Sequence, residues 1–319
     1  MIESINSVAE RVLFAESLEE KLKLGPLRCK DLKLGKAIKT PNLPCRNDSL
    51  KVSANGLRAD FPGITRIENE KDRGKVLHFL ANHELLAAEL MALALLKFPN
   101  APKEYRLGLY DAMREEQIHT RLYIKRMKEC NVTLGEFPLN DFFWRITALV
   151  ETELDFISRM NLTFEQANLD YSRYYAEQFK IIGDKSTALV LEKIYHDEMK
   201  HVGHGLKWLR YWKKVGQSDW DAYTGAIHFP LSATRAKGVA PFNEKARKEI
   251  GFDSEFISRL KVFQQSRGRT PVVHWFNPNA EVHVRTHATG KFFAINRFES
   301  AIENDLEILN EDLYYYSLD

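Results

Sequence analysis

The sequence predicts an all-α fold built on a four-helix bundle, and three observations support this prediction. Four long segments are rich in good helix formers and contain no proline. A short proline-rich turn separates the first two segments, and a Gly-Asp turn separates the last two. Two helical hairpins joined by a longer connection make the plan of a four-helix bundle. The predicted helices span residues 76–98, 103–130, 142–182 and 186–214.

The predicted bundle occupies residues 73–215, and the ends of its helices carry specific signals. Pro102 suits the first turn of the second helix, where its missing N–H is not needed. Asp141 suits the N-cap of the third helix. The third helix is long enough to bend, and we expect the bend near Asn161 or Asn168.

Residues 1–72 form an N-terminal segment that we expect to wrap the surface of the bundle. Residues 7–24 have the helical spacing of apolar side chains, whereas prolines and glycines punctuate the chain from Gly25 to Gly63. A free linker of this length is uncommon inside a compact domain. The prediction is therefore extended chain that packs on the helices.

Residues 216–319 form a C-terminal extension of mixed structure in this prediction. Residues 272–276 and 281–284 have the composition of short strands, and residues 298–315 have a helical pattern. Four ring-bearing side chains in the extension are candidates to cap an active site, with an oligomer contact or surface packing as the alternative. They are His274, Trp275, His283 and His287.

Composition and charge argue against several classes of protein. The formal net charge of +2 provides no general attraction to nucleic acids or membranes. No apolar run reaches the roughly 20 residues that span a bilayer, and the N-terminus lacks the build of a signal peptide. The three cysteines form no Cys-x-x-Cys pair, which argues against a disulfide scaffold. We therefore expect a cytoplasmic protein.

Two Glu-x-x-His motifs carry the chemistry that the sequence predicts. The first is Glu116-Gln-Ile-His119 on the second helix, and the second is Glu198-Met-Lys-His201 on the fourth. Residues three apart lie on one face of a helix, so both side chains of a motif can reach the same point in the bundle core. Roughly one such motif arises by chance in a chain like this one, so only the pair is informative.

A glutamate lies upstream of each motif at nearly the same distance. Glu84 lies 32 positions before Glu116, and Glu165 lies 33 positions before Glu198. In the first hairpin both glutamates are 16 residues from the turn near Asn100, so antiparallel helices bring them level. In the second hairpin the two glutamates are about one turn out of step, and a bend in the third helix would compensate.

Together these residues provide four carboxylates and two imidazoles, which is the ligand set of di-iron and di-manganese carboxylate bundles. Oxygen donors with imidazole suit Fe or Mn. We expect two Fe ions, with Mn or a mixed Mn/Fe pair as alternatives. The predicted ligands are Glu84, Glu116, His119, Glu165, Glu198 and His201.

Four further side chains are candidates for supporting roles. Glu115 and Asp197 each precede a motif, and metal-bound histidines commonly donate their second N–H to such an acid. A solvated surface charge is the alternative for both. Asp170 fits the level of the second hairpin better than Glu165 does and is the reserve ligand. His204 lies one turn beyond the second motif and is a candidate seventh ligand or proton carrier, against a satisfied polar residue.

Several short motifs taken together resemble a known family. They are His83-Glu84-Leu85, Phe98-Pro99-x-Ala101-Pro102, Glu115-Glu116-x-x-His119, Glu165-x-Ala167-x-Leu169-Asp170, Gly183-Asp184, Asp197-Glu198-x-x-His201-Val202, Pro241-Phe242-Asn243, Ala246-Arg247 and Gly251-Phe252. At these residues the chain resembles the ferritin-like family catalogued as domain of unknown function 455, over roughly residues 40–260. The resemblance implies a di-metal bundle and supports Glu165 over Asp170. A more distant resemblance is to the bacterial di-iron tRNA hydroxylase of isopentenyl-type adenosine.

A site of this type predicts an oxygen-dependent oxidoreductase that hydroxylates, desaturates or N-oxygenates a small organic substrate. The expected partners are O₂, the substrate and an electron donor such as a reductase or ferredoxin, and a homodimer is left open. One alternative is a ferritin-like storage or ferroxidase protein, although the long flanks favour an enzyme. Another is a tRNA-modifying hydroxylase, with a solvated loop as the competing interpretation of its basic stretch. That stretch contains Arg259, Lys261, Arg267 and Arg269.

Overall fold

The computed structural model describes residues 3–32, 36–52, 61–228, 230–238 and 241–264, and the backbone of three short strands further along the chain. The α-helices are α1 (Ile5–Phe14), α2 (Leu18–Leu22), α3 (Glu70–Lys97), α4 (Lys103–Glu129), α5 (Phe142–Thr147), α6 (Glu153–Arg159), α7 (Gln166–Ile181), α8 (Lys185–Trp212), α9 (Asp219–Ala226), α10 (Glu244–Ile250) and α11 (Ser254–Val262). A π-helical segment, Met160–Glu165, joins α6 to α7. Short 3₁₀ turns cover Asp48–Leu50, Ile64–Arg66 and Ala233–Ala236.

The bundle consists of two antiparallel helix pairs, as the sequence predicts. Helix α3 packs along α4, α7 packs along α8, and α4 and α8 bring the two pairs together. Asn69 caps α3 and Asp184 caps α8, each by accepting a hydrogen bond from a backbone N–H three residues on. The prediction of an all-α bundle is confirmed.

The bundle has four long arms, which we call rods. The third rod along the chain is not the single helix predicted over residues 142–182. Residues 148–152 separate α5 from α6, because Thr152 adopts an extended conformation and caps the start of α6 by accepting a hydrogen bond from the Asp155 N–H. At the position near Asn161 where a bend is expected, the structure has the π-helical segment, which runs directly into α7. Prolines and glycines do not mark either feature, so helix propensity alone gives no sign of them.

Side-chain hydrogen bonds hold the wide turn of the π-helical segment. The Thr163 hydroxyl donates to the Ser158 carbonyl over 2.7 Å, and the Asn161 amide donates to the His201 carbonyl on α8 over 3.2 Å. A Cβ atom at Gly205 would lie 2.5 Å from the Cβ of Asn161, so only glycine permits this close approach of α8. Such π-helical turns occur frequently at functional sites.

The N-terminal segment contributes to the core and does more than wrap the surface. Five apolar side chains of α1 are fully buried against α3. Residues 36–52 then follow the bundle, and the Trp144 indole N–H donates to the Asn42 carbonyl over 2.8 Å. The buried side chains of α1 are Ile5, Val8, Ala9, Val12 and Leu13.

Residues beyond position 215 also belong to the main core, so the predicted boundary there does not divide the packing. Phe256 and Leu260 of α11 are fully buried in the same apolar cluster as the bundle helices. Tyr223 of α9 bonds to Thr163 of the π-helical segment, with 2.9 Å between the two hydroxyls. Helices α9 to α11 therefore support the third rod of the bundle.

Three short antiparallel strands follow, in the order β2-β1-β3. Strand β1 (Val282–Thr286) overlaps the predicted strand at 281–284 and includes His283, while β2 spans Phe292–Ile295. Strand β3 (Leu306–Glu307) shows that the predicted helix over 298–315 is wrong at these two positions, where short apolar runs do not distinguish the two structures. The predicted strand at 272–276 lies outside the described residues, as do His274, Trp275, His287, Arg267 and Arg269.

Helix α3 is long and apolar enough to cross a membrane by composition alone. However, 89% of its most apolar window is buried inside the protein. This burial is typical of the central helix of a soluble bundle, and no other helix among the described residues passes the same test.

Candidate metal centre

The structure brings the six predicted ligand residues together in the middle of the bundle. Each of the four rods contributes: α3 one glutamate, the end of the π-helical segment another, and α4 and α8 a Glu-x-x-His motif each. None of the six is more than 5% exposed. We call this set the centre; it consists of Glu84, Glu116, His119, Glu165, Glu198 and His201.

The centre divides into two overlapping groups of four side chains. Glu84 and His119 belong to the first group only, and Glu165 and His201 to the second only. Glu116 and Glu198 belong to both. Within each group the ligand atoms lie within 4.8 Å of one another. Two shared carboxylates with a Glu-His pair on each flank make a nearly symmetric arrangement.

The histidine nitrogens that face the carboxylates are Nδ1 atoms in both groups. His119 Nδ1 lies 3.4 Å from Glu84 Oε2 and 3.5 Å from Glu116 Oε2. His201 Nδ1 lies 3.1 Å from Glu116 Oε1 and 3.6 Å from Glu198 Oε2. Glu116 therefore directs one oxygen towards each histidine, as expected for a carboxylate shared between two cations.

The acids that precede the motifs bind the opposite histidines. His119 Nε2 lies 3.1 Å from Asp197 Oδ2, and His201 Nε2 lies 2.7 Å from Glu115 Oε2. Each acid thus crosses from its own helix to the ring on the other. With Nε2–H donated to an acid, Nδ1 keeps its lone pair directed into the centre, which is the tautomer that a metal ion requires.

Several atoms in the centre are buried without a hydrogen-bond partner among the described residues. They are both carboxylate oxygens of Glu116, one oxygen each of Glu165 and Glu198, and the Nδ1 atoms of His119 and His201. Buried polar atoms in proteins are almost always paired, so such a set calls for an explanation. All of these atoms belong to residues of the two groups, and a cation in each group would satisfy them together.

The pKa values of two carboxyl groups and of both histidines in the centre are raised. Burial raises the pKa of Glu84 and of Glu165 well above the usual range, and nearby carboxylates raise both further. Burial acts to lower the pKa of each histidine, but the adjoining acids raise it well above 6.5. Without a cation the centre would therefore retain several protons, which metal ions displace when they bind such residues.

The residues fit a pair of divalent cations. Four buried carboxylates this close together are costly unless positive charge accompanies them. The donor set of carboxylate oxygens with one imidazole in each group suits Fe or Mn better than a thiolate-preferring metal. The buried Glu and His groups of this chain could thus hold metal ions.

The two reserve candidates lie apart from the centre. Asp170 forms a buried ion pair with Arg247, 2.8 Å between Oδ1 and Nη1, and is not a member of either group. The register argument that favoured it assumed a regular α-helix, whereas the π-helical segment moves Glu165 into place. His204 stacks on Tyr105 with 5.6 Å between the ring centres, and burial lowers its pKa to about 4. It is not a member of either group.

Two asparagines support the centre and were not predicted to do so. The Asn161 amide donates to Glu165 Oε2 over 2.6 Å, and the Asn168 amide donates to Glu198 Oε1 over 2.9 Å. In the sequence these residues stand out only as places for a bend. Their spacing from Glu165, four residues before and three after, is the signal that would have revealed them.

Fold and site together define a helical bundle with a buried carboxylate-histidine cluster able to hold metal ions. The chain belongs to the family described as Protein of unknown function (DUF455), whose sequence model matches residues 5–258. The predicted membership of this family is confirmed, and the match extends past position 215 through α9 and α10. No curated protein and no solved structure matches the chain. The likeness to ferritin-like proteins and to the tRNA hydroxylase stays a prediction.

Proposed function

We propose that this protein is a di-iron oxidoreductase that uses O₂ to oxidise a small organic substrate. The observation that supports this proposal is the pair of overlapping groups that share Glu116 and Glu198. Carboxylates common to both groups would hold two ions side by side. When bound, two ferrous ions held in this way supply electrons jointly to O₂ and so provide an oxidant.

The contribution of the chain is placement and exclusion of water. The hydrogen bonds from His119 to Asp197 and from His201 to Glu115 fix both rings, and Asn168 orients the shared Glu198. Fixed ligands leave little reorganisation for the reaction itself. The burial of all six ligand side chains keeps bulk water away from the reacting atoms.

An apolar wall next to the centre is the proposed side from which a substrate is bound. Phe143 stacks between His83 and Phe164, with ring centres 4.5 and 4.3 Å apart. The residues that follow these two stacking partners in the chain are Glu84 and Glu165. An apolar organic substrate would find a dry, aromatic surface here. Turnover would further require a reductase or ferredoxin as the external electron donor.

Metal analysis followed by measurement of O₂ consumption tests this proposal. We expect about two Fe in the wild-type chain after anaerobic loading, with loss of both in Glu116→Ala and of one in His201→Ala, since a shared ligand serves two ions and a terminal ligand serves one. Glu177→Ala is the matched control, because Glu177 is an exposed glutamate on α7 that pairs with Lys180.

The outcomes separate the proposal from its rivals. Absence of metal in the wild type, or equal metal in Glu116→Ala, would contradict the centre itself. Consumption of excess Fe(II) with accumulation of a ferric mineral would favour a storage or ferroxidase protein.

The alternative of a tRNA-modifying hydroxylase has less support from the basic stretch. Arg259 and Lys261 pair with Asp221 and Glu244, which leaves less free positive charge for a tRNA.

A further inference from the structure

A lysine on the surface of α8 contacts both acids that bind the histidines of the centre, Asp197 and Glu115. Lys200 Nζ lies 2.7 Å from Asp197 Oδ1 and 3.4 Å from Glu115 Oε1. Because Glu115 is on α4, the second contact crosses between the two motif helices. Lys193 also pairs with Asp197, through the other carboxylate oxygen, but among the described residues it forms no ion pair with α4.

These contacts link the two lysines to different parts of the centre. Asp197 binds the ring of His119, in the first group, and Glu115 binds the ring of His201, in the second. Lys200 therefore reaches both groups through one acid each. Lys193 reaches the first group alone, so the two lysines form a natural contrast.

Lys193 and Lys200 balance the charge around the centre. The four carboxylates of the centre match the charge of two divalent ions, which leaves Asp197 and Glu115 as two extra negative charges. Lys193 and Lys200 supply the two positive charges that offset them. The Asp197 side chain is only 6% exposed, so water is a poor substitute for these partners.

Lys200 differs from an ordinary surface pair on a helix. A lysine three residues after an aspartate commonly pairs with it, and such a pair contributes little. The contact with Glu115 has no such local origin, because the two residues are 85 positions apart. Together the contacts restrain two acids on different helices, and each acid already restrains a histidine.

We infer that Lys200 is a positioning residue that couples the two halves of the metal centre. It holds Asp197 and Glu115 at the spacing that directs both histidine Nδ1 atoms towards the ions. The inference rests on the metal-binding part of the proposed function and not on the oxidation chemistry. Repulsion between the ammonium group and the ions opposes binding, but Lys200 is 64% exposed and its charge is screened by solvent. The positioning of the two acids therefore outweighs this repulsion, and loss of Lys200 weakens metal binding.

Titration of the metal-free protein with Co(II), followed by its visible absorption, tests this inference without any oxidation step. We expect Lys200→Met to weaken both binding steps about tenfold, the lower end of the range seen when partners of metal-bound ligands are removed. Lys193→Met weakens one step only, and Lys200→Arg restores wild-type binding because it keeps the charge and the reach.

Variants that retain only one of the two groups show which group each lysine supports. In His119→Gln, which retains the second group, Lys200→Met still weakens Co(II) binding while Lys193→Met leaves it unchanged. In His201→Gln, both lysine variants weaken it. Lys200 is exposed, so urea unfolding of the metal-free Lys200→Met protein should match the wild type, and a purely structural role would instead lower its stability.

Several results would overturn the inference. One is Co(II) binding that is unchanged or tighter in Lys200→Met, and another is equal effects of the two lysine variants in every background. A third is a loss of stability in the metal-free Lys200→Met protein that is as large as its loss in Co(II) binding free energy. No Co(II) binding by the wild type would overturn the inference together with the metal centre. Binding of two Co(II) with no O₂ consumption by the iron-loaded protein would overturn the oxidoreductase and leave the role of Lys200 supported.

Discussion

Two kinds of buried carboxylate lie five residues apart on the same rods of the bundle. On α3, Glu84 belongs to the centre, whereas Glu89 belongs to a network of ion pairs. On the third rod, Glu165 belongs to the centre, whereas Asp170 is paired with Arg247. All four side chains are buried. What distinguishes them is whether the chain supplies an arginine or lysine partner.

The structural acids are satisfied by residues from outside the bundle. Glu89 lies 2.6 Å from Arg46 Nη2 and 3.0 Å from Lys21 Nζ, both in the N-terminal segment. Asp170 accepts hydrogen bonds from Arg247 and from the backbone N–H groups of Gly238 and Asn243, which come after the bundle. The flanking segments thus neutralise the charges that the bundle helices bury.

The acids of the centre have no arginine or lysine partner within the described part of the chain, where only histidine nitrogens lie close to them. Glu116 leaves both oxygens without a hydrogen bond, and Glu165 and Glu198 leave one each. A buried carboxylate requires compensation from charge or hydrogen bonds. The comparison teaches that the chain provides this compensation at Glu89 and Asp170 and withholds it at the centre, which could hold cations from solution.

The largest expected effect is on the structural side of the comparison. Arg247→Met leaves Asp170 buried without its counter-charge, so we expect a loss of about 3–5 kcal/mol in the free energy of unfolding. Urea unfolding of the metal-free protein measures it. Lys248→Met, at an exposed neighbour on α10, is the control and should change stability by less than about 0.5 kcal/mol. Equal stability of the two variants would break the comparison.

A buried histidine on α3 gives a pH-dependent effect of intermediate size. Burial lowers the pKa of His78 from 6.5 to about 4, and its Nε2 accepts a hydrogen bond from the Gly135 N–H over 3.0 Å. Because the folded pKa lies below the unfolded one, this stabilisation is complete above about pH 6.5 and is lost as the pH falls towards 4.

The expected loss for His78 is about 3 kcal/mol at one pKa unit per 1.36 kcal/mol. Urea unfolding of the wild type and of His78→Gln between pH 7 and pH 4 isolates it, since the variant lacks the titrating ring. The wild type should lose more stability than the variant over this range. Parallel pH profiles of the two proteins would show that burial of His78 does not make stability depend on pH.

The smallest expected effect on stability is at the centre. Burial raises the pKa of Glu165 well above its usual range, so Glu165→Gln replaces a carboxyl group that tends to stay protonated when no metal is bound, and the metal-free protein should stay within about 1 kcal/mol of the wild type. Asp170→Asn, its partner in the comparison, should be clearly destabilised because Arg247 remains buried alone. In contrast, Glu165→Gln should lose one of two bound ions by metal analysis, and Asp170→Asn should keep both where it folds. A destabilised Glu165→Gln would remove the distinction between the two kinds of acid.

Much of the fold and of the centre could be predicted from the sequence. The hairpin turns near Asn100 and Gly183 follow from local turn chemistry, and the two Glu-x-x-His motifs follow from the pitch of a helix. The break at residues 148–152 and the burial of α1 were missed. Both depend on packing between segments distant in the chain, which helix propensity does not record.

The sequence by itself determined which residue types could bind metal and which helices would carry them, because spacing along a helix is a local property. Only the tertiary structure decided between Glu165 and Asp170, since a π-helical turn held by Asn161 and Thr163 changes the register of one rod. It also decided that each acid binds the histidine of the opposite helix. These choices depend on distances through space, which arise only when all four rods and both flanking segments pack together.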